Sequence, residues 1–185
     1  MKRTIFLAAL ITVFTVSGLS QREVGEIRKA FAETNAKLAE MADHPELSSV
    51  FAVDLTVNKH SAPYPAVGIY QRTATFYYTY GDREKDPYPN RLLKISAVYK
   101  RSARVENIDF YFDKAGKLIF AFASDPEGSI KETRLYFTAG RLIKMTDDGK
   151  EIGLKSQHAV EAGTLAKKES ARLTGIFRAA LIDLD

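Results

Sequence analysis

The order of the hydrophobic patterns predicts an α+β fold, with an antiparallel meander sheet of about 6–8 strands and N- and C-terminal helices packed on one face. Two observations predict this class. Helical patterns stand at both ends of the chain, and alternating apolar residues with recurrent turn signals fill the region between, about residues 49–154. Helices that are segregated from consecutive strands are typical of α+β domains, most simply with both helices over the same face.

The first helix is predicted at residues 22–42, and residues 157–183 are predicted to form a second helix or two shorter ones. The first ends before Pro45, since the residue that precedes a proline avoids the helical region. In the second, Gly163 interrupts the pattern at a cost of about 1 kcal/mol relative to alanine. Apolar residues recur at helical spacing in the first helix at Val24, Ile27, Phe31, Leu38 and Met41.

The clearest local prediction is a β-hairpin at residues 108–122. Its turn, from Asp113 to Gly116, suits a type I turn followed by a glycine in the left-handed region. Turn and pattern together predict a register that places six apolar side chains on one face and Tyr111 on the other. The predicted pairs are Phe112 with Leu118, Phe110 with Phe120, and Ile108 with Phe122.

A second hairpin is predicted at residues 131–146, turning at Ala139 and Gly140. Its sequence leaves two registers open. A two-residue loop pairs Phe137 with Leu142, whereas a bulged loop pairs Leu135 with Ile143. The segment 136–143 loosely repeats the segment 112–119, since each contains an aromatic residue, a turn, a glycine, a base and Leu-Ile. Two copies indicate a meander with similar turns and not a repeat array.

Residues 1–20 have the pattern of an export signal. Lys2 and Arg3 precede an apolar run of 12 residues from Ile5 to Val16, and small residues follow. A membrane anchor is the alternative, but a spanning helix needs about 20 apolar residues. We therefore expect cleavage before Gln21, a single exported domain at residues 21–185, a periplasmic or secreted location, and no stable membrane anchor after cleavage.

Composition excludes several classes of function. The chain has no cysteine, which rules out thiol catalysis, cysteine-ligated zinc and disulfides. Loss of Lys2 and Arg3 with the leader would lower the formal net charge from +4 to +2, and the remaining basic residues are interspersed with acids. Nucleic-acid binding is therefore not expected. The absence of cysteines and of glycosylation sequons favours a bacterial periplasm over a eukaryotic secretory route.

No catalytic, cofactor-binding or metal-ligating residues are predicted. His44, His60 and His158 each lack a second histidine or cysteine at metal-site spacing. The segment 147–151 contains Asp-Gly, which favours a tight turn, and it lacks the alternating acids of a calcium loop. Nucleophile motifs and glycine-rich phosphate loops are also missing from the sequence, so no cofactor is expected.

Aromatic residues are in surplus, above all between residues 64 and 88. Neighbouring residues of a strand point to opposite faces, so this run cannot lie wholly in one core. Exposed tyrosines would form a surface for a ligand or partner, whereas tyrosine's preference for strands offers a purely structural explanation. The candidate surface comprises Tyr64, Tyr77, Tyr80, Tyr88 and Tyr111.

The hairpins with an aromatic-x-x-x-Gly-Lys-Leu pattern, within about residues 105–150, resemble a loose set of uncharacterised exported bacterial proteins. This resemblance implies no activity. Export, the missing catalytic set and the spare tyrosines indicate a non-enzymatic binding module for another envelope protein or an amphiphile, with contacts from the aromatic face and the loops at 60–66 and 81–90. The alternatives are an envelope hydrolase that uses carboxylates and a structural or stress-related envelope protein.

Overall fold

The computed structural model describes residues 4–65, 68–80, 91–102, 104–125 and 127–181. Helix α1 (Thr4–Asp43) precedes the strands, and helix α2 (Gln157–Leu181) follows them. The strands are β1 (Val50–Val57), β2 (Pro63–Tyr64), β3 (Gly68–Thr79), β4 (Arg91–Arg101), β5 (Arg104–Phe112), β6 (Leu118–Ser124), β7 (Glu132–Thr138), β8 (Arg141–Asp147) and β9 (Lys150–Glu151). The predicted α+β class, with an antiparallel sheet between an N- and a C-terminal helix, is confirmed.

The described strands form one antiparallel meander. Their order in the sheet is β1-β3-β4-β5-β6-β7-β8-β9, and the two-residue β2 pairs with β3 beside this path. Because each long strand pairs with its neighbour in sequence, short turns suffice to connect most of them. The predicted helix at 22–42 is the C-terminal part of α1, which continues upstream through the predicted leader. Within the described residues, no helix combines the length and apolarity needed to cross a membrane.

The two helices lie on opposite faces of the sheet, not on one face as the simplest arrangement suggested. Phe110 and Leu173 belong to a core between the sheet and α2, whereas Tyr111 and Ile27 belong to a second core under α1. Side chains alternate along a strand, and the central strands carry large apolar residues on both faces. Each face therefore needs its own helical cover.

The predicted hairpin register is right at the turn and wrong beyond it. Phe112 pairs with Leu118 as predicted, but Tyr111 then pairs with Phe120, and Phe110 pairs with Ala121. The cause is a β-bulge in which Ile119 is the extra residue. Phe120 consequently faces α1, while Phe110 faces α2.

Similar bulges recur in two further strand pairs. In the second hairpin the two-residue loop is observed, with Phe137 paired to Leu142, and a bulge at Ile143 then pairs Leu135 with Met145. The pairing of β3 with β4 shifts in the same way at Leu93. Each extra residue is the second of a Leu-Leu or Leu-Ile pair near the start of its strand. The repeated phrase in the sequence thus marks a repeated bulge, which increases the local twist.

Candidate functional site

The described tyrosines of the candidate surface, Tyr64, Tyr77, Tyr80 and Tyr111, do not come together. Tyr64 is exposed on β2, whereas Tyr111 is buried under α1, where its hydroxyl donates a hydrogen bond of 3.0 Å to Asn35 Oδ1. Tyr80 packs against the α2 core. Tyr77 follows Phe76, a residue of that core, along β3 and therefore points to the α1 face. Tyr88 and the loop at 81–90 lie outside the described residues. The four described tyrosines are therefore divided between the two faces of the sheet and its edge.

The structure instead contains a cavity of about 560 Å³ between the sheet and the N-terminal half of α2. We call it the α2 cavity. Its apolar lining comes from both layers: Ile108, Phe110, Ala121, Ala123 and Leu135 from the sheet, and Ala162, Leu165 and Ala166 from the helix. A volume of this size, with mostly apolar walls, is typical of small-molecule sites.

Leu165 is the most unusual residue of this lining. It is 65% exposed, although it stands on the flank of α2 that borders the cavity. An isolated exposed leucine is ordinary, but this one is contiguous with apolar residues that line a cavity. The apolar surface of the cavity therefore extends to its opening.

Charged side chains around the apolar lining are predominantly basic. Four cations and two carboxylates line the α2 cavity, so their formal charges sum to +2. The cations are Arg72, Arg101, Lys168 and Arg172, and the carboxylates are Glu106 and Glu169. Among the described residues, Arg101 and Lys168 have no ion-pair or hydrogen-bond partner for their side chains. An anionic group would find two uncommitted cations here.

A hydrogen-bonded network connects the sheet to α2 at the edge of this cavity. The Tyr99 hydroxyl and the Arg172 guanidinium both donate to the Glu169 carboxylate, with 2.8 Å from Arg172 Nε to Glu169 Oε2. The bond from Arg172 lowers the pKa of Glu169 to about 2, assisted by Tyr99 and opposed by burial. Burial, followed by the bond to Glu169, raises the pKa of Tyr99 above its ordinary value. At neutral pH, Glu169 is therefore an anion and Tyr99 a donor.

Arg72 extends the network from β3. Its guanidinium lies 4.9 Å from the centroid of the Tyr99 ring, and its Nη2 donates to the Tyr70 hydroxyl. Its Nε is buried and has no hydrogen-bond partner among the described residues. Buried N–H groups without partners are rare in folded proteins, so this atom is a donor with spare capacity in a residue that lines the cavity.

His158 and Asp147 form a second polar cluster beside the α2 cavity. His158 Nε2 lies 2.7 Å from Asp147 Oδ2, and the Thr133 hydroxyl donates to Asp147 Oδ1 at 2.7 Å. Asp147 is buried on β8, whereas the His158 side chain in the first turn of α2 is half exposed. The pair joins the start of α2 to the edge of the sheet, and it places a histidine against a carboxylate.

Metal ligands do not cluster within the described part of the chain. No three histidine, aspartate or glutamate side chains converge there in a way that could hold an ion. In the described ranges His44 approaches one exposed carboxylate, that of Glu46, at 3.9 Å.

Sequence reasoning missed the α2 cavity because its lining comes from β3 to β7 and from α2. A partial signal was present on α2. Leu165, Lys168 and Arg172 share one flank of the helix, since residues three and four apart are neighbours. An apolar residue followed by two bases on a solvent flank is consistent with an amphiphilic surface.

Comparison of the chain with protein families, with characterised proteins and with solved structures found no significant match.

Proposed function

We propose that this protein is an exported binding protein for a single-chain amphiphile with an anionic head group, which it holds in the α2 cavity. The observation that carries this proposal is the pairing of an apolar cavity with uncommitted cations at its edge. Localisation in the periplasm or outside the cell is part of the proposal, because the leader at residues 1–20 is the sequence feature that supports it.

The tail of such a ligand would lie against aliphatic residues. Ile108 and Leu135 from the sheet face Ala162 and Ala166 from the helix, and these small alanines leave space between the layers. Each methylene that leaves water contributes about 0.8 kcal/mol, so a chain of several carbons binds without any specific hydrogen bond. The exposed Leu165 gives this tail an apolar path to the opening.

The head group would be held by Arg101 and Lys168. Both are exposed and have no ionic partner among the described residues, so neither must break a bond before it contacts a ligand. Arg72, whose buried Nε has no partner among the described residues, adds a further positive charge to the same lining. Guanidinium and ammonium groups bind carboxylate and phosphate oxygens through charge-assisted hydrogen bonds, which favours an anionic over a neutral or cationic head.

The test uses a tryptophan reporter, because the chain has no native tryptophan. Leu165→Trp places the reporter at the cavity opening, where the exposed position accepts the larger ring. Titration with laurate below its micellar concentration should shift the emission to the blue and saturate. Dodecyltrimethylammonium has the same tail and a positive head, so it loses at least one charged contact. We expect it to bind at least tenfold more weakly, which corresponds to about 1.4 kcal/mol.

Substitution of the two cations identifies the head-group site. In the Leu165→Trp background, Arg101→Gln with Lys168→Gln should weaken laurate binding about tenfold, whereas Lys114→Gln on the distant first hairpin turn should leave it unchanged. A parallel titration with dodecyl phosphate distinguishes a carboxylate head from a phosphate head. Absence of saturable laurate and dodecyl phosphate binding, or equal affinity for the cationic amphiphile, would remove the proposal.

The proposed export has its own test. Expression of the full chain in a bacterial host should release a mature protein in the envelope fraction, and its N-terminal sequence should begin at Gln21. Recovery of the intact chain from the cytosol would contradict export without affecting the ligand proposal.

A hydrolase remains a second candidate, because His158 and Asp147 lie beside the same cavity. A buried carboxylate that orients a histidine is the arrangement that activates a nucleophile. Among the described residues, no hydroxyl group hydrogen-bonds to His158, so the nucleophile would be water. Hydrolysis of p-nitrophenyl laurate that is abolished by His158→Gln, with laurate binding retained, would support this candidate over simple binding.

A further inference from the structure

We infer a second ligand site on the opposite face of the sheet, in a cavity of about 510 Å³ between α1 and strands β4 to β7, and assign to it a planar aromatic anion. We call it the α1 cavity. It shares no residue with the α2 cavity, and the inference goes beyond the amphiphile site.

Aromatic rings form most of the apolar wall of this cavity. Phe31 of α1 lies 4.9 Å from Tyr111 and 5.3 Å from Phe120, measured between ring centroids, and Tyr136 lies 4.9 Å from Phe120. These pairs are tilted or edge-to-face, which leaves ring faces and edges available for a further ring. The α2 cavity differs, since its apolar wall is mainly aliphatic.

Two arginines lie over rings of this wall, one from each layer. The Arg28 guanidinium of α1 is 5.9 Å from the Tyr136 centroid, and the Arg134 guanidinium of β7 is 5.7 Å from the Phe122 centroid. Both arginines are exposed. Arginine stacks on aromatic faces and binds carboxylates through two parallel hydrogen bonds, so an aromatic acid between these side chains satisfies both preferences.

The remaining polar groups of the cavity already have partners. Lys94 Nζ lies 2.8 Å from Asp109 Oδ2, and the Tyr111 hydroxyl donates to Asn35. Arg134 has only an exposed ion pair with Glu132, and Arg28 has no ion-pair partner among the described residues. Arg28 is therefore free to meet an anionic ligand, and Arg134 can do so by exchanging its exposed partner Glu132 for the ligand carboxylate.

Isothermal titration of the full chain with 2-naphthoate tests the assignment. We expect saturable binding at one site, and at least tenfold weaker binding of the uncharged 2-naphthylmethanol. Arg28→Gln with Arg134→Gln should weaken naphthoate binding about tenfold. The matched control is Arg22→Gln, an exposed arginine on the same helix that pairs with Glu26 and lies outside the cavity lining.

Binding of naphthoate to the variant of the α2 cavity, and its competition with laurate, distinguish the two cavities. Naphthoate binding should survive Arg101→Gln with Lys168→Gln and should not be displaced by laurate. If the α2-cavity variant abolishes naphthoate binding, or if the Arg28 and Arg134 variant leaves it unchanged, naphthoate binds elsewhere and the inference is overturned. No detectable heat with naphthoate would overturn it as well, whatever the result with laurate.

Discussion

The hydroxyl of Tyr99 on β4 donates a hydrogen bond to the Glu169 carboxylate on α2, and so joins the centre of the sheet to the helix that covers it. Arg172 donates to the same carboxylate from one turn further along the helix. This cluster borders the α2 cavity, so the contacts that hold the helix in place also shape the proposed ligand site.

The Glu169 network predicts how stability depends on acid. The folded pKa of Glu169 is about 2, below the ordinary value of 4.5, so its ionised form stabilises the folded state fully above pH 4.5. That contribution is lost as the pH falls from 4.5 toward 2. The difference in unfolding free energy between wild type and Glu169→Gln should therefore be constant above about pH 5 and narrow at lower pH.

Chemical denaturation at a series of pH values measures this difference. Glu161→Gln, on an exposed position of the same helix, is the matched control. For Glu169→Gln, the difference in unfolding free energy from wild type should shrink in acid more than it does for Glu161→Gln. Equal changes for the two variants would show that Arg172 and Tyr99 do not stabilise the Glu169 carboxylate.

Removal of the negative charge of Asp109 from its ion pair with Lys94 should lower the stability of the fold. Burial alone would lower the pKa of Lys94, but the hydrogen bond and charge of Asp109 outweigh burial and raise it. The side chains are only 13% and 27% exposed. Asp109→Asn leaves a largely buried ammonium without its counter-charge and should destabilise the fold by about 3 kcal/mol.

The control for this change is Asp54→Asn, because Asp54 is exposed on β1 and accepts a hydrogen bond from Thr75. That isosteric change should cost less than about 0.5 kcal/mol. Urea denaturation gives both values, and similar costs for the two substitutions would mean that the Lys94 pair contributes little.

The turn between β7 and β8 predicts a stabilising substitution. Ala139 has a φ of 49°, and the following Gly140 has a φ of 75°. A two-residue loop of this type needs positive φ at both positions, which asparagine tolerates better than alanine. Ala139→Asn should therefore raise the unfolding free energy by about 1 kcal/mol.

Thermal unfolding measures this gain. Ala115→Asn in the first hairpin turn is the control, since Ala115 is exposed and does not have a positive φ. If the two substitutions change the melting temperature equally, relief of backbone strain is not the cause.

Alanine substitutions at the two glycines of α2 should have different effects on stability. A Cβ at Gly175 would meet no atom within 4 Å, whereas a Cβ at Gly163 would lie 3.2 Å from Leu142 Cδ2. Gly175→Ala should therefore stabilise the protein by about 1 kcal/mol through helix propensity. Gly163→Ala should give a clearly smaller gain or a loss, because α2 approaches β8 closely there. Equal gains in denaturant titrations would contradict this close contact.

The bulges show where local sequence was sufficient and where it was not. The turn at Gly116 and the pairing of Phe112 with Leu118 follow from residues within a few positions of each other. The bulge at Ile119 does not, since it depends on which face each side chain must fill. Phe120 and Phe110 were both expected in one core, but α1 supplies a second core that only the assembled layers reveal.

The chain by itself determined its fold class, its meander order and the places of its hairpin turns, because periodicity and turn chemistry act over short stretches of sequence. Tertiary structure alone decided that α1 and α2 cover opposite faces and that cations from β4 and α2 meet beside an apolar cavity. Arg101 and Lys168 are far apart in sequence, and their proximity depends on the packing of the helix across the sheet, which no local pattern specifies.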